Sequence, residues 1–375
     1  MINEKRLIDL FISFVETSSE SGKEGKFRDL LITEFARRGI NAKEDKAGEI
    51  LGGDSGNLLV YIPGTINATP LLFSAHLDTV KPGEDIKAVV QEGLIKSVGP
   101  TILGADDKAA IAAIIEAYDV LIENNLDYPP LELLFTVSEE QGLKGAKAFD
   151  YSKIQAKMGY VLDGGGSPGN IILKSPAQNE IKFHIYGKAA HAGINPEDGI
   201  NAINLAAKAL ASLPFGRIDE ETTINFGLIS GGKASNIVAD YCYLLGEVRS
   251  LDKIKLDNIT DKMVSTFTNS VTEQGGRVEA KVTLLYPEIN LNPKDEVVTI
   301  VTHAAQNIGL TPILTNTGGG SDASIINGQG INCANLGIGM QNVHTIDEFI
   351  SIEDLVNDTK LILAIIAEYI RHKGA

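Results

Sequence analysis

Cysteine is nearly missing from this chain: two residues in 375, Cys242 and Cys333, far apart in sequence. They give neither a disulfide framework nor a thiolate metal spacing, and a reducing compartment is the implied setting. Tryptophan is absent and aromatics make up only 6% of the residues, so aliphatic side chains must build most of the core. Basic residues are outnumbered, 33 against 49 acidic, for a formal charge of −16. That sign argues against nucleic acid or an anionic membrane as partner. It also admits carboxylates inside the fold, neutralised by cations. No apolar run approaches the length of a membrane span. The first residues pass straight into an amphipathic pattern (Leu7, Ile8, Phe11, Phe14, Val15) without a signal-peptide h-region, and a cytoplasmic protein is expected.

What is present is an ordinary globular composition, 43% hydrophobic over 375 residues, enough for two domains. Helices are expected over about 4–16 and 24–38, the second closed by Gly39. Apolar strands over 71–75, 131–137 and 160–162, with an alanine-rich helix over 108–121, give a βαβ alternation. The fold class read from this is α/β, a mainly parallel sheet with helices on both faces. After Pro176 the texture changes. Ile181, Phe183 and Ile185 alternate with polar residues, as in a strand with one wet face. Helices over 201–213 and 252–273, with strands over 222–229, 241–250 and 277–286, make an inserted α+β module. The domains expected are therefore 1–177 with 291–375, and 178–290. A last helix starts at Ser351, with Asp354 completing a weak capping box, and runs to about Arg371.

Five short stretches bear chemistry. Leu71-Leu-Phe-Ser-Ala-His76-Leu-Asp78 delivers a histidine and an acid to one side of a strand end, where open α/β sheets build sites. Gly104-Ala-Asp106-Asp107 precedes a helix, where an aspartate is ordinarily a cap but can also bridge two cations. Phe135-Thr-Val-Ser-Glu139-Glu140 places adjacent glutamates at a strand end, unfavourable unless a cation or proton intervenes. Tyr160-Val-Leu-Asp163-Gly ends a further strand in an acid, and Asn342-Val-His344 sits in a polar loop. Each has a bland reading alone. Together, strands ending in His76, Glu139/Glu140 and Asp163 converge at one sheet edge beside Asp106. Oxygen and imidazole donors without thiolate suit a pair of zinc, manganese or cobalt ions, and such a pair makes a hydrolytic site.

At these residues the chain resembles the superfamily of co-catalytic di-zinc peptidases that includes peptidase T, carboxypeptidase G and the aminoacylases, most closely its peptidase T-like branch. The same motif order covers essentially the whole chain. The resemblance implies that His76 and Asp163 hold one ion, Glu140 and His344 the other, and that Asp106 bridges them through a cis bond to Asp107. Asp78 would orient His76, and Glu139 would be the general base. In Gly187-Lys-Ala-Ala-His191 the resemblance implies a lid histidine that stabilises the oxyanion and reaches the partner's site in a homodimer. It also makes 178–290 a lid and dimerisation domain, and Asn236 and Arg249 substrate-binding positions, with Gly318-Gly-Gly-Ser-Asp322 lining the cleft. Departures are small: Asp107-Lys108-Ala109-Ala110 replaces the usual Asp-Lys-Gly or Asp-Lys-Ala-Gly, and the chain is shorter than a typical peptidase T. The expected function is metal-dependent hydrolysis of short peptides, of tripeptide aminopeptidase type. Alternatives are a carboxypeptidase, dipeptidase or N-acyl amino acid deacylase and, from another class, a non-catalytic peptide- or metal-binding protein.

Overall fold

The structure, a computed structural model, describes residues 1–374. The chain forms two compact units, one of residues 1–173, 291–317 and from 321 onward, the other of 174–290 with 318–320. The second unit therefore recruits three glycines remote in sequence. At one of them the approach is close: a Cβ on Gly320 would stand 2.4 Å from the ring of Tyr286.

In the larger unit the strands run in the order Ala42–Glu44, Leu58–Ile62, Leu131–Thr136, Leu71–His76, Met158–Gly164, Asn332–Gly337, Asn170–Ser175. The central strands pair in parallel, while those at the margins pair antiparallel. Every residue of Leu71–His76 and Leu131–Thr136 is buried, as a parallel sheet covered on both faces requires. Helix Ala105–Glu123 lies against Leu71–His76 and Met158–Gly164, and its buried Ala109, Ala110, Ala112 and Ala113 let its backbone come close. Phe73 and Tyr160, on neighbouring strands, bring their rings to 5.9 Å, and burying a side chain of that size contributes about 1.5–3 kcal/mol. The parallel arrangement fixes the polarity. His76, the Glu139–Glu140 pair and Asp163 all fall at the same, C-terminal edge.

A small antiparallel sheet of Phe349–Ser351, Leu94–Ser97 and Ala88–Gln91 precedes helix Ile352–Lys373. That helix is capped by the Ser351 hydroxyl, which accepts from the Asp354 amide at 2.9 Å and donates to its carboxylate.

The smaller unit is an antiparallel sheet in the order Gly216–Arg217, Thr222–Gly231, Tyr241–Ser250, Ala177–Tyr186, Arg277–Tyr286. Helices Ala202–Ala211 and Lys253–Thr272 cover one face. Ile181, Phe183 and Ile185 point into that layer, and Phe183 stacks on Phe267 with ring centroids 3.9 Å apart. The period of two read from the sequence is the pleat of this strand. Among the described residues no helix is long and apolar enough to cross a membrane.

Candidate metal centre

His76 closes a fully buried strand and is itself 2% exposed. Its Nε2 lies 2.9 Å from Asp106 Oδ1 and 3.9 Å from Asp163 Oδ1. Its Nδ1 meets the backbone carbonyl of Asp78 at 2.9 Å, whereas the Asp78 carboxylate stands 3.6 Å away. That carboxylate is engaged elsewhere. It accepts the amides of Glu139 (2.8 Å) and Glu140 (3.2 Å) and the Ser21 hydroxyl (2.6 Å). Asp78 thus touches the ring through its main chain and anchors the glutamate loop through its side chain.

Asp106 does not cap its helix. The N-cap position is Gly104 in the left-handed region (φ 77°) without a side-chain bond, and Asp106 and Asp107 depart from helical angles. The Asp106–Asp107 bond is cis. The Asp106 carboxylate faces two ways: Oδ1 toward His76, and Oδ2 toward His344 Nε2 at 3.2 Å. His344 in turn lies 2.7 Å from Glu140 Oε1. Two residues set these directions by leaving the usual backbone range, Ser138 (φ 51°) ahead of the glutamates and His344 (φ 64°). Ser138 is held there by Glu24, whose carboxylate accepts both its amide and its hydroxyl at 3.1 Å.

The electrostatics follow from crowding acids in a dry place. Burial first, then the neighbouring Asp106 charge, pushes Asp163 well up. Burial and Asp163 do the same to Glu139, with His76 opposing. Burial lifts Asp322 to about 6. Hydrogen bonds to Asp106 and Glu140 hold the His344 imidazolium up to about 10. At His76 burial opposes the charge but is outweighed by the bonded Asp106 and the nearby Asp78 carboxylate, which raise it. Burial opposes ionisation of Asp106, but its histidine partners outweigh it and hold the carboxylate below its usual range.

Like charges gathered this closely fit a cation. His76, Asp106 and Glu140 form one group of converging donor atoms, and His76, Asp107 and Asp163 another. Asp107 was named in sequence as part of the motif before the helix and of the cis bond, not as a metal donor. It is fully buried, Oδ2 accepts the His76 amide at 3.0 Å, and Oδ1 has no hydrogen-bond partner among the described residues. His191, Asn236 and Arg249, also singled out in sequence, lie in the smaller unit. His191 and Asn236 are exposed on adjoining segments, joined by the Ala192 amide donating to the Asn236 carbonyl at 3.0 Å. Arg249 spends its fork on Glu247, with Nε 2.9 Å and a second nitrogen 3.2 Å from its oxygens, and offers another nitrogen to the Gly318 carbonyl at 3.3 Å.

An open α/β sheet whose strand ends gather imidazoles and carboxylates, with no thiolate, is the frame of a metal-dependent hydrolase. The chain belongs to peptidase family M20/M25/M40, whose pattern matches residues 72–368. Its fold is similar to that of aminopeptidase PepT from Bacillus cereus ATCC 10987, at 42% identity over 98% of this chain and 99% of that one, TM-score 0.91. A tripeptidase from Staphylococcus aureus subsp. aureus mu50 is 38% identical over 99% and 100%, TM-score 0.93. Peptidase T of Alkaliphilus oremlandii (strain OhILAs) is 30% identical over 97% of this chain and 99% of its own length.

Proposed function

We propose that this chain is a two-cation aminopeptidase that removes the N-terminal residue from short peptides, tripeptides first among them. The observation that carries the reading is the Asp106 carboxylate, with one oxygen turned to His76 and the other to His344. His76 and Asp163 would hold one cation and Glu140 and His344 the other, with Asp106 between. Zinc is the first choice and manganese or cobalt the alternatives. When bound, the cations supply positive charge that polarises the scissile carbonyl and acidifies water.

The chain's own residues do the rest. Glu139, half-buried at its strand end with a raised affinity for protons, accepts a proton from the attacking water and passes it to the leaving amine. Asp78 keeps Glu139 and Glu140 in register through their amides and presents its carbonyl to the His76 ring. Arg249, Asn236 and His191 are assigned to substrate, Arg249 for a carboxylate near the cut and His191 for the developing oxyanion. The 178–290 module serves as lid and dimer contact, with His191 acting across a homodimer. Supporting this, strand Thr222–Gly231 pairs with Gly216–Arg217 only through Thr223 and Ile224, and Leu228 and Ile229 beyond are exposed. The cytoplasm is the proposed setting, in keeping with free, buried Cys242 and Cys333.

The adjacent glutamates supply the test. Glu139→Gln keeps shape but cannot take a proton, so both ions should stay bound while kcat on a tripeptide falls by about 10²–10⁴-fold. Glu140→Ala should lose an ion. Near-normal turnover in Glu139→Gln, or metal loss there instead of in Glu140→Ala, would refute the assignment.

A further inference from the structure

Glu348 was not singled out by sequence, and its side chain is 2% exposed. Its Oε2 accepts the amides of Leu103 (2.8 Å) and Gly104 (2.7 Å), and its Oε1 accepts the amide of Asp106 (3.1 Å). These amides belong to the turn that presents Asp106. They point outward from a helix start and would otherwise be orphaned. The backbone of Glu348 belongs to the loop that presents His344. Its amide donates to the Thr345 carbonyl at 3.3 Å, and the loop is closed by Gln341 and Phe349, which exchange backbone bonds of 2.9 and 3.1 Å. One carboxylate therefore ties the turn carrying Asp106 to the loop carrying His344, whose side chains meet at 3.2 Å.

We propose that Glu348 is a positioning residue that sets the Asp106 carboxylate opposite His344 and thereby fixes the affinity of the cation held by Glu140 and His344. The proposal rests on the two-cation reading above. A carboxylate suits the task because all its lone pairs accept, whereas a carboxamide must aim its NH2 at one set of these N–H groups however it turns. Residues that orient ligands in this way typically change metal affinity by about 10–100-fold when replaced.

A matched control exists in the same unit. Glu132 is also 2% exposed and accepts the amides of Gln155 (3.0 Å) and Ala156 (2.9 Å), but it supports no ligand loop. The experiment titrates the metal-free wild type, Glu348→Gln, Glu348→Asp and Glu132→Gln with zinc, and follows amide exchange at Leu103, Gly104 and Asp106. Wild type should take up two ions. Glu348→Gln should keep one near wild-type affinity, weaken the other by about 10–100-fold, and exchange faster at those amides. Its kcat should fall with little change in KM. Glu348→Asp, which keeps the charge on a shorter arm, should fall between, and it carries the test if the Gln variant does not fold. Glu132→Gln should lose melting temperature while binding both ions as wild type does. Unchanged affinity for both ions in the Glu348 variants, or equal weakening by Glu132→Gln, overturns the positioning role. A wild type that binds fewer than two ions overturns the underlying two-cation reading instead.

Discussion

The two units treat charge in opposite ways. In the smaller one, charged pairs such as Lys233–Asp240 and Arg277–Glu279 stand in solvent, and the interior is apolar from Ile181 to Phe267. In the larger one, Asp78, Asp106, Asp107 and Asp322 are buried, and the first three touch His76. Solvated pairs add little to stability, whereas buried acids are costly unless something positive meets them. On the proposed function, the difference separates a unit whose charges face solvent from one whose buried acids would hold cations.

Breaking that contrast starts with the cations. A chelator should abolish tripeptide hydrolysis and lower the melting temperature, and added zinc should restore both. Saturation at 1,000 times Kd corresponds to about 4 kcal/mol of stabilisation. Calorimetry with and without chelator measures it, and full activity in chelator would contradict the cation site. Next, Phe267→Ala removes a fully buried ring stacked on Phe183 and should cost about 3–5 kcal/mol by denaturant unfolding. Bound metal, measured by elemental analysis on folded protein, should not change; a fall would show that the two regions are not separable. Arg249→Ala should raise KM by roughly 10–100-fold, the equivalent of about 1.5–3 kcal/mol for a charged hydrogen bond, with kcat and metal content nearly constant. A loss confined to kcat would remove Arg249 from ground-state binding. Smallest is Lys233→Ala, which breaks an exposed pair and should leave the melting temperature within measurement error.

Much of the candidate site was legible because apolar runs that stop at a polar residue are visible without a structure. His76, Glu139, Glu140 and Asp163 were found that way. Strand Asn332–Gly337 was not: Asn-Cys-Ala-Asn-Leu-Gly has little intrinsic strand character, and it is the buried sheet position that makes it one. Glu348 leaves no local signature, since its three amide partners lie 242–245 residues away. The occupied fork of Arg249 was readable in principle, because the strand period of two puts Glu247 and Arg249 on the same face. The three glycines that join the smaller unit meet it at Tyr286, beside Gly320, and at Arg249, which donates to the Gly318 carbonyl, tertiary facts with no counterpart in composition.

On the proposed function, the buried acids of the larger unit hold two cations around Asp106. Anomalous diffraction from zinc-loaded crystals tests it most directly. Two peaks are expected, one beside His76 and Asp163 and the other beside Glu140 and His344, with an Asp106 oxygen toward each. A single peak, or density elsewhere with His76 and His344 left unliganded, would contradict it.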